Sequence, residues 1–302
     1  MKPLHVLEFP TNLGLKEPAP GVEPGVRKLP DGLRRWGLYA RLSPVEIERL
    51  SPPPYTMHLD PDSGVRNAEA IATYAEAQAD LLRKVLELPR FPLVIGGDCS
   101  VLLGNALALK TKGRYALFFV DGHTDYMSTE LSSTGGAAGM DLALATGWGH
   151  PKLTNLRNQK PYFPESSVWA VGNREYHPQY VATIRQSAIT YLDLATLRQE
   201  GPAACAQRFL RWFAQEGFDG FWLHLDLDVL DDAVMPAVDS RAPDGLRYDE
   251  LHALLAPLVH HPQATGLEIT ILDPDLDPTG QYTRRFIDAF SALMQASPSE
   301  AT

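Results

Sequence analysis

Long apolar runs and an excess of basic residues are both absent from this 302-residue sequence. No stretch approaches ~18 consecutive apolar residues, which excludes a transmembrane helix by length. Lysine and arginine together number 27 against 37 aspartates and glutamates, giving a formal net charge of -10. The basic surface that a nucleic-acid-binding protein needs is therefore missing. We expect neither a membrane nor a nucleic acid as a partner.

Cysteine is also scarce, since only Cys99 and Cys205 are present. Two cysteines in a chain of this length do not indicate a disulfide framework, and they fit a reducing compartment. The N-terminal stretch MKPLHVLEFPTN has too short an apolar segment for a secretory signal peptide. These features predict a cytoplasmic protein in which a cysteine acts as a thiol or thiolate.

The apolar residues that are present, 44% of the chain, are organised as alternating strands and helices. Short apolar runs typical of buried strands occur at 91–97, 115–123, 167–173, 188–193, 220–228 and 265–272. Helical spacing occurs at 67–88, 99–110, 196–215, 246–260 and 280–295. The pattern predicts an α/β fold with a parallel sheet covered on both sides, as one domain over residues 1–302. The proline-rich part through residue 64 is predicted to be loop and irregular structure.

Acidic side chains follow two of the predicted strands. In FFVDGHTDYMS, Asp121, His123 and Asp125 are spaced by two, so they share one side if the backbone stays extended. In FWLHLDLDVLDD, Asp226 and Asp228 do the same after another apolar run. The first motif alone is equally compatible with a polar turn after a strand.

Together, the acidic motifs favour a metal site, because parallel strands bring their carboxyl ends to one edge of a sheet. A divalent cation relieves the repulsion and desolvation of clustered carboxylates. Four aspartates and a histidine suit two ions about 3.5 Å apart, and such a pair makes a bridging hydroxide available as a nucleophile.

Cys99 lies in a third stretch, VIGGDCSVLLG, which also follows a predicted strand. Its thiol could be a metal ligand, a nucleophile or a small buried side chain. The nucleophile is the weakest alternative, because no histidine base stands beside it in sequence and nearby aspartates would raise its pKa.

The three stretches GGDCS, DGHTD and HLDLDVLDD resemble, in order, the GGDHS, DAHxD and SxDxDxxDP motifs of the ureohydrolase family, which includes arginase and agmatinase. The resemblance implies a three-layer α/β/α fold and a two-manganese site. It also implies hydrolysis of a linear C–N bond in a small guanidino, hydroxyguanidino or formimino compound by a hydroxide bridging two divalent metals. Family members commonly form trimers or hexamers, so a homo-oligomer is expected.

Carried over by position, the resemblance implies six metal ligands: Cys99, Asp121, His123, Asp125, Asp226 and Asp228. Asp121 and Asp226 would bridge the two ions. Asp125 would also orient the hydroxide and assist proton transfer. Ser132 and Thr134 fall where arginases bind the amino-acid end of their substrate.

Departures from the family pattern bear on metal, substrate and activity. Cys99 replaces the first metal-binding histidine, and a softer thiolate favours zinc, iron or cobalt beside the expected manganese. Ile271 stands where a glutamate holds the guanidinium, and Ala138 where arginases carry a proton-shuttling histidine. His224 could supply a proton, or it could be a histidine of the core or of the surroundings of the metal ligands. The alternative function is therefore a non-catalytic, metal- or ligand-binding member of the same fold.

Overall fold

A single parallel sheet of eight strands forms the centre of the protein in the computed structural model, which describes residues 2–175 and 177–296. The strands are β1 Leu4–Glu8, β2 Glu46–Arg49, β3 Phe91–Ile95, β4 Tyr115–Val120, β5 Val168–Asn173, β6 Thr190–Asp193, β7 Gly220–Asp226 and β8 Ala264–Thr270. Their spatial order is β2-β1-β3-β8-β7-β4-β5-β6, and every neighbouring pair is parallel. All carboxyl ends therefore lie along one edge of the sheet.

Helices cover both faces of this sheet. They are α1 Leu29–Arg35, α2 Leu38–Leu42, α3 Ala68–Leu86, α4 Val101–Lys110, α5 Asp141–Ala145, α6 Pro151–Thr154, α7 Pro178–Gln186, α8 Leu194–Glu200, α9 Pro202–Glu216, α10 Tyr248–Val259 and α11 Gln281–Gln295. Two separate hydrophobic cores result: one contains buried residues of α1, α2 and α8–α11, and the other those of α3–α7. The predicted three-layer α/β/α fold is confirmed.

The N-terminal part is more regular than the sequence predicts. Residues 1–64 were expected to be loop and irregular structure, but they contain β1, β2, α1 and α2. β1 is hard to recognise because His5 and Glu8 interrupt its apolar run, although both side chains are buried. Glu8 is tolerated inside the protein because Arg34 and Arg49 each pair with it at 2.6 Å.

Element boundaries also differ from the predicted ones at places that matter for the site. The predicted helix at 196–215 is two helices, α8 and α9, separated by Gly201, whose φ is 90°, and α9 begins at Pro202. β4 ends at Val120, so DGHTD lies beyond the strand, whereas β7 extends to Asp226 and only Asp228 lies in the turn that follows. Within the described residues, no helix is both long and apolar enough to cross a membrane.

Candidate metal centre

The polar motifs meet at the carboxyl ends of the four central strands. β3, β8, β7 and β4 are consecutive neighbours in the sheet. Cys99 follows β3, Asp121 follows β4, Asp226 ends β7 and Ile271 follows β8. The predicted convergence of separate segments is therefore a consequence of strand order.

A close approach of backbone and a hydrogen bond set the loops that carry these residues. A Cβ on Gly97 would lie 1.8 Å from the backbone oxygen of Thr11, so only glycine lets the loop after β3 pass there. The backbone N–H of Gly122 donates to Asp228 Oδ1 at 3.0 Å, which joins the loops after β4 and β7.

Side chains from the end of β5 hold the same loops from the other side. Asn173 Nδ2 donates to the backbone oxygen of Asp121 at 2.7 Å. Arg174 is buried and donates to the backbone oxygens of Asp228 and Leu230 at 2.7 and 3.2 Å. The Arg174 guanidinium therefore binds backbone oxygens, and these contacts position the turn that carries Asp228.

The structure brings together the ligand types that the sequence predicts, in two overlapping groups. Donor atoms of Cys99, Asp121, His224 and Asp226 all lie within 4.8 Å of one another, and those of Asp121, His123 and Asp125 do so as well. Asp121 belongs to both groups. Two cation positions that share a carboxylate fit this arrangement.

Hydrogen bonds connect the candidate ligands directly. The Cys99 thiol donates to Asp226 Oδ2 at 2.8 Å, and the other oxygen of Asp226 accepts the Asp228 N–H at 2.7 Å. His123 Nδ1 lies 2.9 Å from Asp228 Oδ2, and the His123 N–H donates to Asp121 Oδ1 at 2.6 Å. Asp125 has φ 43°, so a left-handed turn and not an extended strand aims its side chain.

Burial and mutual repulsion dominate the electrostatics. Burial, followed by the neighbouring carboxylates, raises the pKa of Asp121 and Asp226 well above the usual range. Burial also raises the pKa of Asp125 to about 8. Asp228 is the exception: burial acts to raise its pKa, but the opposing charge and hydrogen bond of His123 hold it below the usual value. The charge of Asp228 in turn raises the pKa of His123 to about 10.

The residues fit a pair of divalent cations. Asp121 Oδ2 is buried and has no hydrogen-bond partner among the described residues, an expensive state for a carboxylate oxygen unless a cation neutralises it. Sulfur, imidazole and carboxylate donors are those that transition metals take. The raised pKa of the Cys99 thiol, caused by burial and then by Asp226, argues against a free nucleophilic thiolate.

A cavity of about 310 Å³ opens over these residues. Cys99, His123, Asp125, Asp226 and Asp228 lie in its wall, together with Ser132, Thr134, Ala138 and Ile271. The Ser132 and Thr134 hydroxyls accept the Gly135 and Gly136 N–H groups at 3.0 and 3.1 Å, so part of their capacity serves the loop. His224, which is fully buried, is not among the lining residues of the described chain.

Several residues that complete the site were not singled out from the sequence. Glu175 and Asp239 line the cavity and add negative charge. Asp141 is buried, and its pKa is raised well above the usual range by burial and then by Asp125. Glu268 is fully buried, and its Oε1 lies 2.6 Å from His224 Nδ1. In the sequence, Glu268 could have been found as the only acidic residue of the apolar run GLEITIL, whereas no sequence feature points to Asp141.

Comparisons with known proteins find similar sequences and similar folds. The model of the arginase family matches residues 7–294. An arginase of Bacillus caldovelox is 31% identical over 284 residues, covering 92% of this chain and 93% of that protein. A crystal structure of arginase from the same organism superposes with a TM-score of 0.87 at 27% identity, over 99% of this chain and 100% of that one. A formimidoylglutamase from Bacillus subtilis, 19% identical over 99% of this chain and 88% of its own, shares the fold with a TM-score of 0.72.

Proposed function

The chain belongs to the arginase family, and on that premise we propose that it is a metal-dependent hydrolase of a linear C–N bond. The substrate is a small guanidino, hydroxyguanidino or formimino compound. The observation that carries the proposal is the gathering of Cys99, Asp121, His123, Asp125 and Asp226 in two ligand groups, with Asp228 held by His123, beside a cavity of about 310 Å³. A cavity of this size suits a small molecule.

Two divalent ions, manganese first, would be held by Cys99, Asp121, His123, Asp125, Asp226 and Asp228. Asp121 and Asp226 are assigned as the shared ligands, supported by the unpaired oxygen of Asp121. Zinc, iron or cobalt are the alternatives because Cys99 offers sulfur. When bound, the ions would supply a hydroxide as the nucleophile and would polarise the substrate carbon–nitrogen group.

Asp125 is proposed as the residue that moves the proton. It lies in the cavity wall, where substrate can reach it, and its left-handed backbone aims the carboxylate there. A carboxylate in this place can accept a proton from the attacking water and donate it to the departing nitrogen. Hydrolysis thus places the water oxygen on the carbon and breaks its bond to the departing nitrogen, so a cationic guanidinium yields a neutral urea and a protonated amine.

The acidic lining of the cavity determines which substrate charge is favoured. Two divalent cations would balance the four aspartates of the centre, so Glu175 and Asp239 remain as the acidic groups of the wall, and we infer that they attract a cationic guanidinium or formimidoyl group. Ser132 and Thr134 would contact the end of the substrate that does not react. Ile271 adds an apolar surface where the family has a glutamate, so a substrate with a less basic or bulkier reacting group is favoured.

Ile271→Glu is expected to improve guanidinium recognition. A carboxylate at this position adds a charge-assisted hydrogen bond worth ~1.5–3 kcal/mol, which corresponds to about 10- to 150-fold in KM. The measurement compares KM for guanidino and formimino compounds in wild type and variant. Ile271→Leu, which adds no charge, is the matched control and should leave the ratio of the two KM values unchanged. If the ratio of the two KM values in Ile271→Glu equals that of the wild type, the assigned position of Ile271 is refuted.

The direct test of the proposed function is a turnover panel. Wild-type protein loaded separately with Mn²⁺, Zn²⁺, Fe²⁺ and Co²⁺ is assayed for urea, hydroxyurea, ammonia and formamide release from guanidino, hydroxyguanidino and formimino compounds. Turnover of one class with one metal is expected. Two bound metals per chain without turnover of any compound would instead favour the non-catalytic, ligand-binding alternative.

Assembly and location complete the proposal. We expect a homo-oligomer, a trimer or hexamer as is common in the family, measurable by light scattering. The buried free thiols of Cys99 and Cys205 suit the reducing cytoplasm.

A further inference from the structure

His224 is a histidine that the family motif does not assign to the metals, since the motif carries serine at its position. Its side chain is fully buried, and its Nε2 has no hydrogen-bond partner within residues 2–175 and 177–296. A ring nitrogen of His224 lies within 4.8 Å of Cys99 Sγ and of carboxylate oxygens of Asp121 and Asp226. We propose that His224 binds one of the two metal ions through Nε2.

The side chains that contact the His224 imidazole orient its Nε2. On the neighbouring strand Glu268 is its register partner, and Glu268 Oε1 lies 2.6 Å from His224 Nδ1. Asn105 donates to the other oxygen of Glu268, and Phe119 stacks on the imidazole at a centroid distance of 4.4 Å. A carboxylate on Nδ1 fixes the proton there and leaves the Nε2 lone pair free, as in many metal-bound histidines.

With His224, one metal ion has four protein donors, and without it the same ion has three. One sulfur, one imidazole nitrogen and two carboxylates, from Cys99, His224, Asp121 and Asp226, provide four donors of mixed type. Donors that surround a zinc-like ion at 2.0–2.3 Å are separated by about 3.5 Å, within the observed limit of 4.8 Å. His224 thus supplies the imidazole that the family's histidine provides at the position of Cys99.

Direct proton donation to substrate is the competing role for His224. The cavity lining includes Cys99 and Asp226 but, within the described chain, not His224. A substrate in this cavity therefore meets the thiol and the carboxylate before it could reach the imidazole. An Nε2 lone pair engaged with a metal also cannot carry the proton.

The inference rests on the proposed function, because it assumes that the centre binds metal. The test measures zinc binding by metal-free protein in competition with a chromophoric chelator. It then counts imidazole and sulfur ligands per zinc by X-ray absorption. Wild type should bind two zinc ions per chain and show two imidazoles for the pair, from His123 and His224. His224→Gln should show one imidazole and at least a ~100-fold lower affinity for one of the two ions.

Three further variants separate the possible roles. Glu268→Gln should weaken the same zinc ion about 10- to 100-fold while both imidazoles remain. Cys99→Ser should remove sulfur scattering and keep the imidazole count. His260→Gln removes a half-buried histidine that contacts the backbone oxygen of Leu293, before the start of β8 and thus at the sheet edge opposite the centre, and should change neither the zinc affinity nor the imidazole count.

The outcomes distinguish this inference from the function it rests on. Two zinc ions bound with unchanged affinity and imidazole count in His224→Gln would overturn the inference and leave the proposed function standing. No zinc bound by wild type would overturn the proposed function itself. If metal-free His224→Gln does not fold by circular dichroism, unchanged zinc affinity in Glu268→Gln overturns the inference instead.

Discussion

Asp226→Asn should lower kcat/KM by at least about a thousandfold while the metal-free protein stays folded. Asp226 is assigned as a shared ligand, and its loss removes several kcal/mol of charge stabilisation from the reaction, where each 1.36 kcal/mol is tenfold in rate. The fold should tolerate the change because an amide oxygen can still accept the Asp228 N–H, now at 2.7 Å. Steady-state kinetics and metal analysis of the same sample measure the loss of kcat/KM and of bound metal. The unfolding temperature of the metal-free protein shows whether it stays folded.

The same substitution should raise the unfolding temperature of the metal-free protein. Asp226 is a buried acid whose pKa is raised well above the usual range by burial and by Asp228, so its charge opposes folding near neutral pH. Activity and metal-free stability thus change in opposite directions, as is typical of functional carboxylates.

Asp277→Asn is the matched control for a buried aspartate outside the centre. Asp277 Oδ1 and Oδ2 accept the Gln281 and Thr283 N–H groups at 2.9 and 2.8 Å, at the start of α11. Its substitution should cost about 1 kcal/mol of folding free energy and leave kcat/KM within a few-fold. Equal losses of activity in both variants would contradict the assigned role of Asp226.

The metal-free protein should lose stability as pH rises from about 5 to about 9. The folded-state pKa of Asp125 is about 8 against an ordinary value of 3.8, raised by burial, and Asp121 is shifted in the same direction. A raised acid pKa contributes stability below the unfolded pKa that is lost as pH rises through the folded pKa. His123, raised to about 10 from 6.5 by Asp228, loses its contribution in the upper part of the same window.

Metal should reverse this pH dependence. Its ligands must be deprotonated, so affinity and the resulting stabilisation grow with pH. Thermal unfolding at several pH values, with chelator and with saturating Mn²⁺, measures the difference between the two unfolding temperatures. We expect the difference to widen toward pH 9 and to shrink toward pH 5. In Asp226→Asn the metal-free curve should be flatter, and a difference independent of pH in wild type would contradict the account.

The sequence was most informative where local pattern and strand order coincide. Apolar runs that end in Asp121 and Asp226 mark buried strands with acids at their carboxyl ends, and the parallel sheet brings such ends together. The fold class and the convergence of the motifs therefore follow from the sequence alone. β1 and β2 were missed because charged residues lie within them, stabilised only by partners distant in sequence, such as Arg34 and Arg49 on Glu8.

The surroundings of the centre needed the three-dimensional structure. His224 and Glu268 are 44 residues apart and meet only because β7 and β8 pair in a particular register. Asp125 is aimed by a left-handed backbone, which a strand-based spacing argument cannot foresee. Asp141 reaches the acidic cluster through the fold of a long loop. In each case a tertiary contact or a local backbone conformation, rather than a periodic pattern, decides the outcome.

Anomalous diffraction from crystals grown with saturating Mn²⁺ tests the central claim most directly. The account predicts two anomalous peaks about 3.5 Å apart, with Asp121 and Asp226 contacting both and His123 and Asp228 contacting one. A pocket without any peak, or peaks lying away from these side chains, would contradict the proposed pair of cations and the hydrolysis that depends on it.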